Sequence, residues 1–104
     1  MLLGRIIGTV VATRKDPHLI GLRLLLLEEL SVRLEGTGRH LVAADAVGAG
    51  PGEIVLYATG SSARLTEATT DRPVDAVVSA IIDEVDEAGS LLYSKAARPP
   101  APER

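Results

Sequence analysis

The sequence predicts an all-β fold that works as an assembly of identical copies, and three observations predict it. Five or six short extended runs recur along the 104 residues, each closed by a turn signal. Glycines fall inside those runs, where they commonly mark bulges and the tight corners of small barrels. Several of the runs are apolar on both faces, where a half-exposed strand would alternate.

The elements follow in order. Leu2 to Thr13 reads as one long strand, rich in β-branched residues and bent at Gly4 and Gly8. Arg14-Lys15-Asp16-Pro17-His18 is a polar loop, because Pro17 restricts φ and cannot donate to a ladder. Leu22 to Leu30 is the second strand. Leu and Glu are good helix formers, but the run is short and no cap residue precedes Gly21. A turn from Glu35 to Gly38 leads into the third strand, His40 to Val47.

Gly48-Ala49-Gly50-Pro51-Gly52 is a tight connection to the fourth strand, Glu53 to Thr59. Ser61-Ser62-Ala63-Arg64-Leu65 starts one short helix with Ser61 as N-cap. After the turn Asp71-Arg72-Pro73 comes the fifth strand, Ala76 to Val85, and Ala88-Gly89 turns it into a brief sixth, Leu91 to Ser94. The domain so defined spans 1–95. The tail 96–104 carries three Pro in nine residues with no apolar period, and it is expected to be disordered.

The two-sided runs are Val10-Val11-Ala12, Leu24 to Leu27, Ile54 to Ala58 and Val77 to Ile82. A small barrel has one inside, and a domain of this size buries only about two-thirds of its unfolded surface. No long amphipathic helix is available to cover the second faces. Another copy of the chain is the expected cover, which predicts an obligate homo-oligomer.

Composition narrows the function. Apolar residues make up 46% of the chain, too many for a disordered protein, while aromatic residues make up 2%. With no Cys there is no disulfide framework, thiolate metal site or Cys nucleophile. A net charge of −3 leaves no polybasic footprint for duplex nucleic acid, and two Tyr are poor equipment for stacking single strands. No run approaches the roughly 18 apolar residues of a membrane span, and the N-terminus lacks signal-peptide features. A soluble, intracellular protein is expected, with no membrane or nucleic-acid partner.

The chemical motifs read as structural. The glycine segment 48–52 lacks the Lys-Ser/Thr of a phosphate loop and opens into a strand instead of a helix. Ser61 and Ser62 sit in no nucleophile elbow, and a cap explains Ser61 more simply. His18 and His40 are isolated, without metal-ligand spacing. Asp83-Glu84 and Asp86-Glu87 read as a solvated rim, since neighbours on a strand face opposite ways. No catalytic residue, cofactor or metal is expected. Some of the scattered Arg side chains are candidates to bridge subunits to Asp45, Glu53 or Asp75, against the plainer reading of surface Arg.

Several blocks together resemble one family. They are Leu3-Gly4-Arg5-Ile6-Ile7-Gly8-Thr9-Val10-Val11-Ala12-Thr13-Arg14-Lys15-Asp16-Pro17, Gly21-Leu22 with the leucine run, and Ala44-Asp45-Ala46-Val47-Gly48-Ala49-Gly50. Gly52-Glu53, Val55-Leu56, Gly60-Ser61-Ser62-Ala63-Arg64, Arg72-Pro73-Val74-Asp75-Ala76 and Ile81-Ile82-Asp83 continue the pattern across roughly 1–95. The sequence resembles the EutN/CcmL family, the pentameric vertex proteins of bacterial microcompartment shells such as carboxysomes and metabolosomes.

The resemblance implies a five-stranded, OB-like barrel with a short helix between the fourth and fifth strands, assembled as a homopentamer. It implies a structural protein that plugs the fivefold vertices of a cytoplasmic protein shell and meets hexameric and trimeric facet proteins. Carried over by position, Asp45, Gly48, Gly50, Gly52, Gly60, Ser61, Ser62, Ala63, Arg64, Arg72 and Asp75 are the subunit-interface candidates. The connection Ser31 to Arg39 and the Pro-rich tail depart from the family pattern. Two rivals remain at this point: an OB-like module for single-stranded nucleic acid, and a small hydrolase using Ser61 or Ser62.

Overall fold

The protein is described by a computed structural model over residues 1–96, so the expected disordered tail falls, apart from Ala96, outside the described residues. Five strands close a barrel: β1 (Leu2–Val10), β2 (Leu24–Leu30), β3 (Gly36–Asp45), β4 (Ile54–Thr59) and β5 (Ala76–Ile81), in the order β1-β2-β3-β5-β4. Every pairing is antiparallel except β3 with β5, which run parallel and meet only at Ala44↔Val77 and Asp45↔Val78. A separate hairpin follows, β6 (Glu84–Glu87) and β7 (Ser90–Ser94).

Alternation along the strands sends Ile6, Leu25, Leu27, Ala43, Val55, Tyr57 and Val78 into the barrel. Tyr57 is the largest of these side chains and explains one glycine. A Cβ on Gly4 would lie 3.0 Å from Tyr57 Cε1, so the strand runs past the ring only because position 4 has no side chain.

The second apolar face is covered in part by the chain itself. Val77 and Ala44 point away from the barrel interior and pack with Ala63 in a smaller cluster, joined by Leu22, Leu24 and Val74. The excursion from Gly60 to Asp75 supplies this cover without a long helix. The two-sided pattern of the fifth strand therefore reflects a short folded-back segment as well as any neighbour.

Three expected strand boundaries move by three residues or more, each for a pairing reason. The first strand ends at Val10, not Thr13, because its partner β2 begins at Leu24 and Val10 is paired with it. The third begins at Gly36 instead of His40: the chain has already reversed over 31–35, where Ser31 Oγ accepts from the Arg33 and Glu35 amides and Leu34 takes φ 65°. The fifth ends at Ile81, not Val85. The Ile82 amide still donates to the Ile54 carbonyl at 2.8 Å, but β4 starts at Ile54, so nothing is left to pair with.

The fourth change concerns the helix. The segment Gly60–Arg64 is a 3-10 turn flanked by Thr59, and no side chain caps it, so Ser61 lies inside the turn and is not its N-cap. A second 3-10 turn, Pro17–Leu19, sits in the loop between β1 and β2, capped by Asp16, which accepts from the His18 amide.

Candidate assembly surface

The glycine loop between β3 and β4 is held from inside. Asp45 Oδ1 accepts the amides of Val47, Gly48 and Ala49 at 3.1, 3.0 and 3.3 Å. Gly48 at φ 76° takes a conformation that L side chains rarely adopt, and its amide points inward there. Asp45 Oδ2 receives Arg23 Nη1 at 3.0 Å, and the carboxylate side chain is only 4% exposed. Glu53 Oε1 accepts the Gly50 amide at 2.6 Å, while its Oε2 pairs with Lys95 Nζ. Amides that a phosphate loop would turn toward a ligand are here turned toward two carboxylates of the chain.

The excursion after β4 is held differently. Buried Thr69 donates through Oγ1 to the Ala63 carbonyl at 2.6 Å. Arg72 Nη1 donates to the His18 and Ile20 carbonyls at 2.7 and 2.9 Å, tying the Pro17–Leu19 turn to the excursion. Gly60, Ser61, Arg64, Arg72 and Asp75 line two adjoining open grooves here. The structure thus gathers those five predicted residues on one surface. Ser62 is exposed beside them, and Ala63 is buried beneath.

Asp45, Gly48, Gly50 and Gly52 form a separate group in the glycine loop. Of the three acids considered as bridges between subunits, Asp45 and Glu53 meet Arg23 and Lys95 of their own chain. Asp75 has no side-chain partner among the described residues.

A groove that sequence reasoning missed opens where β3 and β5 diverge. It is lined by Leu2, Glu29, Arg39, Val42, Tyr57 and Asp75. Burial pushes the Tyr57 phenol above its ordinary pKa, the Glu29 carboxylate adds to the rise, and Arg39 opposes it. The sequence carries no local signal for this groove, because it depends on how few residues β3 and β5 share.

One constellation calls for a catalytic check. His18 Nδ1 lies 2.8 Å from Asp16 Oδ1, and Ser61 lines the same groove as His18. The His18 amide, then its ring, holds the Asp16 carboxyl below the usual range. A working triad needs a buried orienting acid and a hydroxyl hydrogen-bonded to the imidazole. Here the Asp16 and His18 side chains are 58% and 72% exposed, and among the described residues neither Ser61 nor Ser62 is hydrogen-bonded to a histidine. Also among them, no three His, Asp or Glu side chains gather into a metal-holding group.

What the chain does leave open is apolar. Val11, Leu65, Val32, Ile20 and Leu91 are all more than half exposed, spread over the loops and the hairpin. A closed barrel with loops braced from inside is the make-up of a rigid structural module.

Comparison with known proteins agrees. The family model described as "Ethanolamine utilisation protein EutN/carboxysome" matches residues 1–83. A carboxysome shell vertex protein, CcmL, from a Synechocystis species is 47% identical over 95 residues, covering 91% of this chain and 95% of that protein. The solved structure of Gloeobacter violaceus CcmL superposes with a TM-score of 0.89 at 45% identity, covering 92% of this chain and 99% of that one. GrpN, a pentameric microcompartment shell protein from Rhodospirillum rubrum, superposes with a TM-score of 0.75 at 43% identity, covering 85% and 99%. The chain belongs to the EutN/CcmL family.

Proposed function

We propose that the chain is a shell vertex protein: a homopentamer that closes the fivefold vertices of a polyhedral bacterial microcompartment inside the cytoplasm. The observation that carries this is the match over nearly the whole length, in sequence and in fold, to proteins named as shell vertex proteins, one of which, GrpN, is solved as a pentameric shell protein. The mechanism is geometric. A five-membered unit set among sixfold tiles removes a wedge from a flat lattice and so introduces curvature. Closed strands and loops braced by Asp45 and Glu53 keep each wedge from deforming.

Hexameric and trimeric shell proteins are the partners this reading assigns, across the rim of the pentamer. The groove residues Gly60, Ser61, Arg64, Arg72 and Asp75 are assigned to subunit contacts, with Ser62 beside them. Ala63, Asp45, Gly48, Gly50 and Gly52 support those contacts by shaping the loops that present them. The protein is read as having no turnover; Ser61 and His18 are both solvent-exposed and, among the described residues, not hydrogen-bonded to each other. A nucleic-acid module is disfavoured by the family and by the fate of the aromatics: Tyr57 is in the core and Tyr93 is half-buried.

Native mass spectrometry tests the assembly. Five copies of a 10.9 kDa chain give about 55 kDa. A monomer or dimer at micromolar concentration would sink the reading, as would shells that close equally well when this protein is left out.

A further inference from the structure

The glycine loop plugs one end of the barrel by sending Ala49 into the core cluster beside Ile6 and Val55. At the other end the excursion from Gly60 to Asp75 folds outward over Val77 and leaves an open mouth of about 620 Å³. Mouths of small barrels are common binding sites, and this volume lies within the usual range.

Two polar groups face the mouth without adequate partners. On β2, Glu29 follows Leu25 and Leu27 on the inward face, and its side chain is only 15% exposed. Its Oε2 accepts from Thr37 Oγ1 at 2.7 Å and lies 3.9 Å from Arg39 Nε, while its Oε1 has no partner among the described residues. The Arg39 side chain is itself largely in solvent, so this half-sunk carboxylate is weakly paired. Tyr57 is 1% exposed and lines the same space, yet its hydroxyl makes no hydrogen bond among the described residues. That hydroxyl is near enough to feel the charges of both Glu29 and Arg39. Leu2 and Val42 add apolar side chains that are left partly open. Such a site fits a cation on an aliphatic stem, with N–H donors for Glu29 and Tyr57 and methylenes against the apolar rim.

The backbone beside the mouth indicates how that cation arrives. β3 pairs with β5 only at Ala44 and Asp45, so from Gly36 to Ala43 its second edge has no strand beside it among the described residues. An open edge next to a pocket lets an extended peptide add as a strand and drop an alternate side chain into the pocket. Another copy of this chain is poorly equipped to be that peptide. Of the described Lys and Arg side chains outside the mouth, only Arg14 and Arg64 lack a partner. Arg14 lies in a bend and Arg64 in a 3-10 turn, neither of them an extended segment.

We infer that the barrel mouth docks an extended basic segment of a different protein, which pairs along β3 and seats an arginine between Glu29 and Tyr57. Arg39 gives way to the incoming side chain. The inference does not depend on the vertex reading.

The probe is a fluorescein-labelled Thr-Val-Arg-Val-Thr peptide, titrated by polarisation against the intact, assembled protein. It should bind, and the same peptide with Gln in place of Arg should bind at least about tenfold more weakly. Methylating the amides that flank the arginine should weaken binding as much, because strand pairing uses backbone donors. Tyr57→Phe should weaken it about tenfold, and Glu29→Gln at least as much. Arg39→Ala should tighten it about threefold, since the internal competitor is gone, and a loss of structure would not produce a gain. A wild-type protein that ignores the peptide at millimolar concentration overturns the inference. So does binding indifferent to Tyr57→Phe or to Arg39→Ala. Equal binding of the methylated peptide overturns it as well, leaving a cation pocket without strand pairing. Binding seen only after the assembly is dissociated also overturns it, because a neighbouring copy then fills the mouth. A chain that binds the peptide but forms no pentamer keeps this inference and loses the vertex reading.

Discussion

The barrel and the hairpin that follows it are both β-structure of the same sequence style, yet they are stabilised in opposite ways. The barrel closes around Ile6, Leu27, Val55 and Tyr57 and is complete in one chain. No hairpin side chain joins the buried core; the roots of the hairpin are the Ile82 and Lys95 amides and the Lys95–Glu53 pair, and its tip is held by Glu87 on Arg33. The difference teaches where the energy of each sits. Barrel residues fill the core that stabilises the chain, whereas the hairpin residues lie outside that core.

The sharpest way to break that comparison is one chemical change made in both regions. Leu27→Ala, inside the barrel, should cost about 2–5 kcal/mol in urea unfolding. Leu91→Ala, on the hairpin, should move single-chain stability by no more than about 0.5 kcal/mol. Equal losses would mean that the hairpin has a core after all.

Next in size is the glycine loop. Asp45→Ala removes the acceptor of three amides and of Arg23, and should cost about 2–3 kcal/mol by the same measurement. A loss comparable to that of an exposed ion pair would show that the loop is not braced from inside. Arg33→Ala, which frees the hairpin tip, should cost less than about 1 kcal/mol and should lose its effect as salt is raised. A large, salt-independent cost would move the hairpin into the barrel's class.

The smallest effect is at alkaline pH. Burial raises the Tyr57 pKa, so the fold favours the neutral phenol, whereas the unfolded ring ionises near 10.0. The stability this contributes is fully present below that pH and is lost as pH rises from there through the higher folded-state value. Tyr57→Phe should flatten the decline above pH 10 in a pH series of unfolding curves while leaving neutral-pH stability nearly unchanged. A parallel decline in both proteins would remove Tyr57 as its cause.

Much of this was legible in the residues. The glycines at 4 and 8, the turn at Ala88-Gly89 and the leucine run placed strands close to where they lie. Ala88 and Gly89 do take φ 51° and 83°, both in the left-handed region that a tight hairpin turn demands. The boundary errors share a cause. Thr13 and Ile82 are as strand-like as their neighbours, but a strand stops where its partner stops, and partner length is not a local property. Ser61 misled for a related reason, because its composition suits a cap while the turn geometry put Thr59 at that position.

By itself, the order of residues determined the strands, the inward alternation and the family, because those depend on neighbours one or two positions apart and on blocks of motif. Only the tertiary structure decided that Asp45 faces its own loop, that 60–75 covers Val77, and that the hairpin leaves the barrel once β4 runs out. Each of these joins residues distant in the chain, and their meeting depends on the closed order β1-β2-β3-β5-β4.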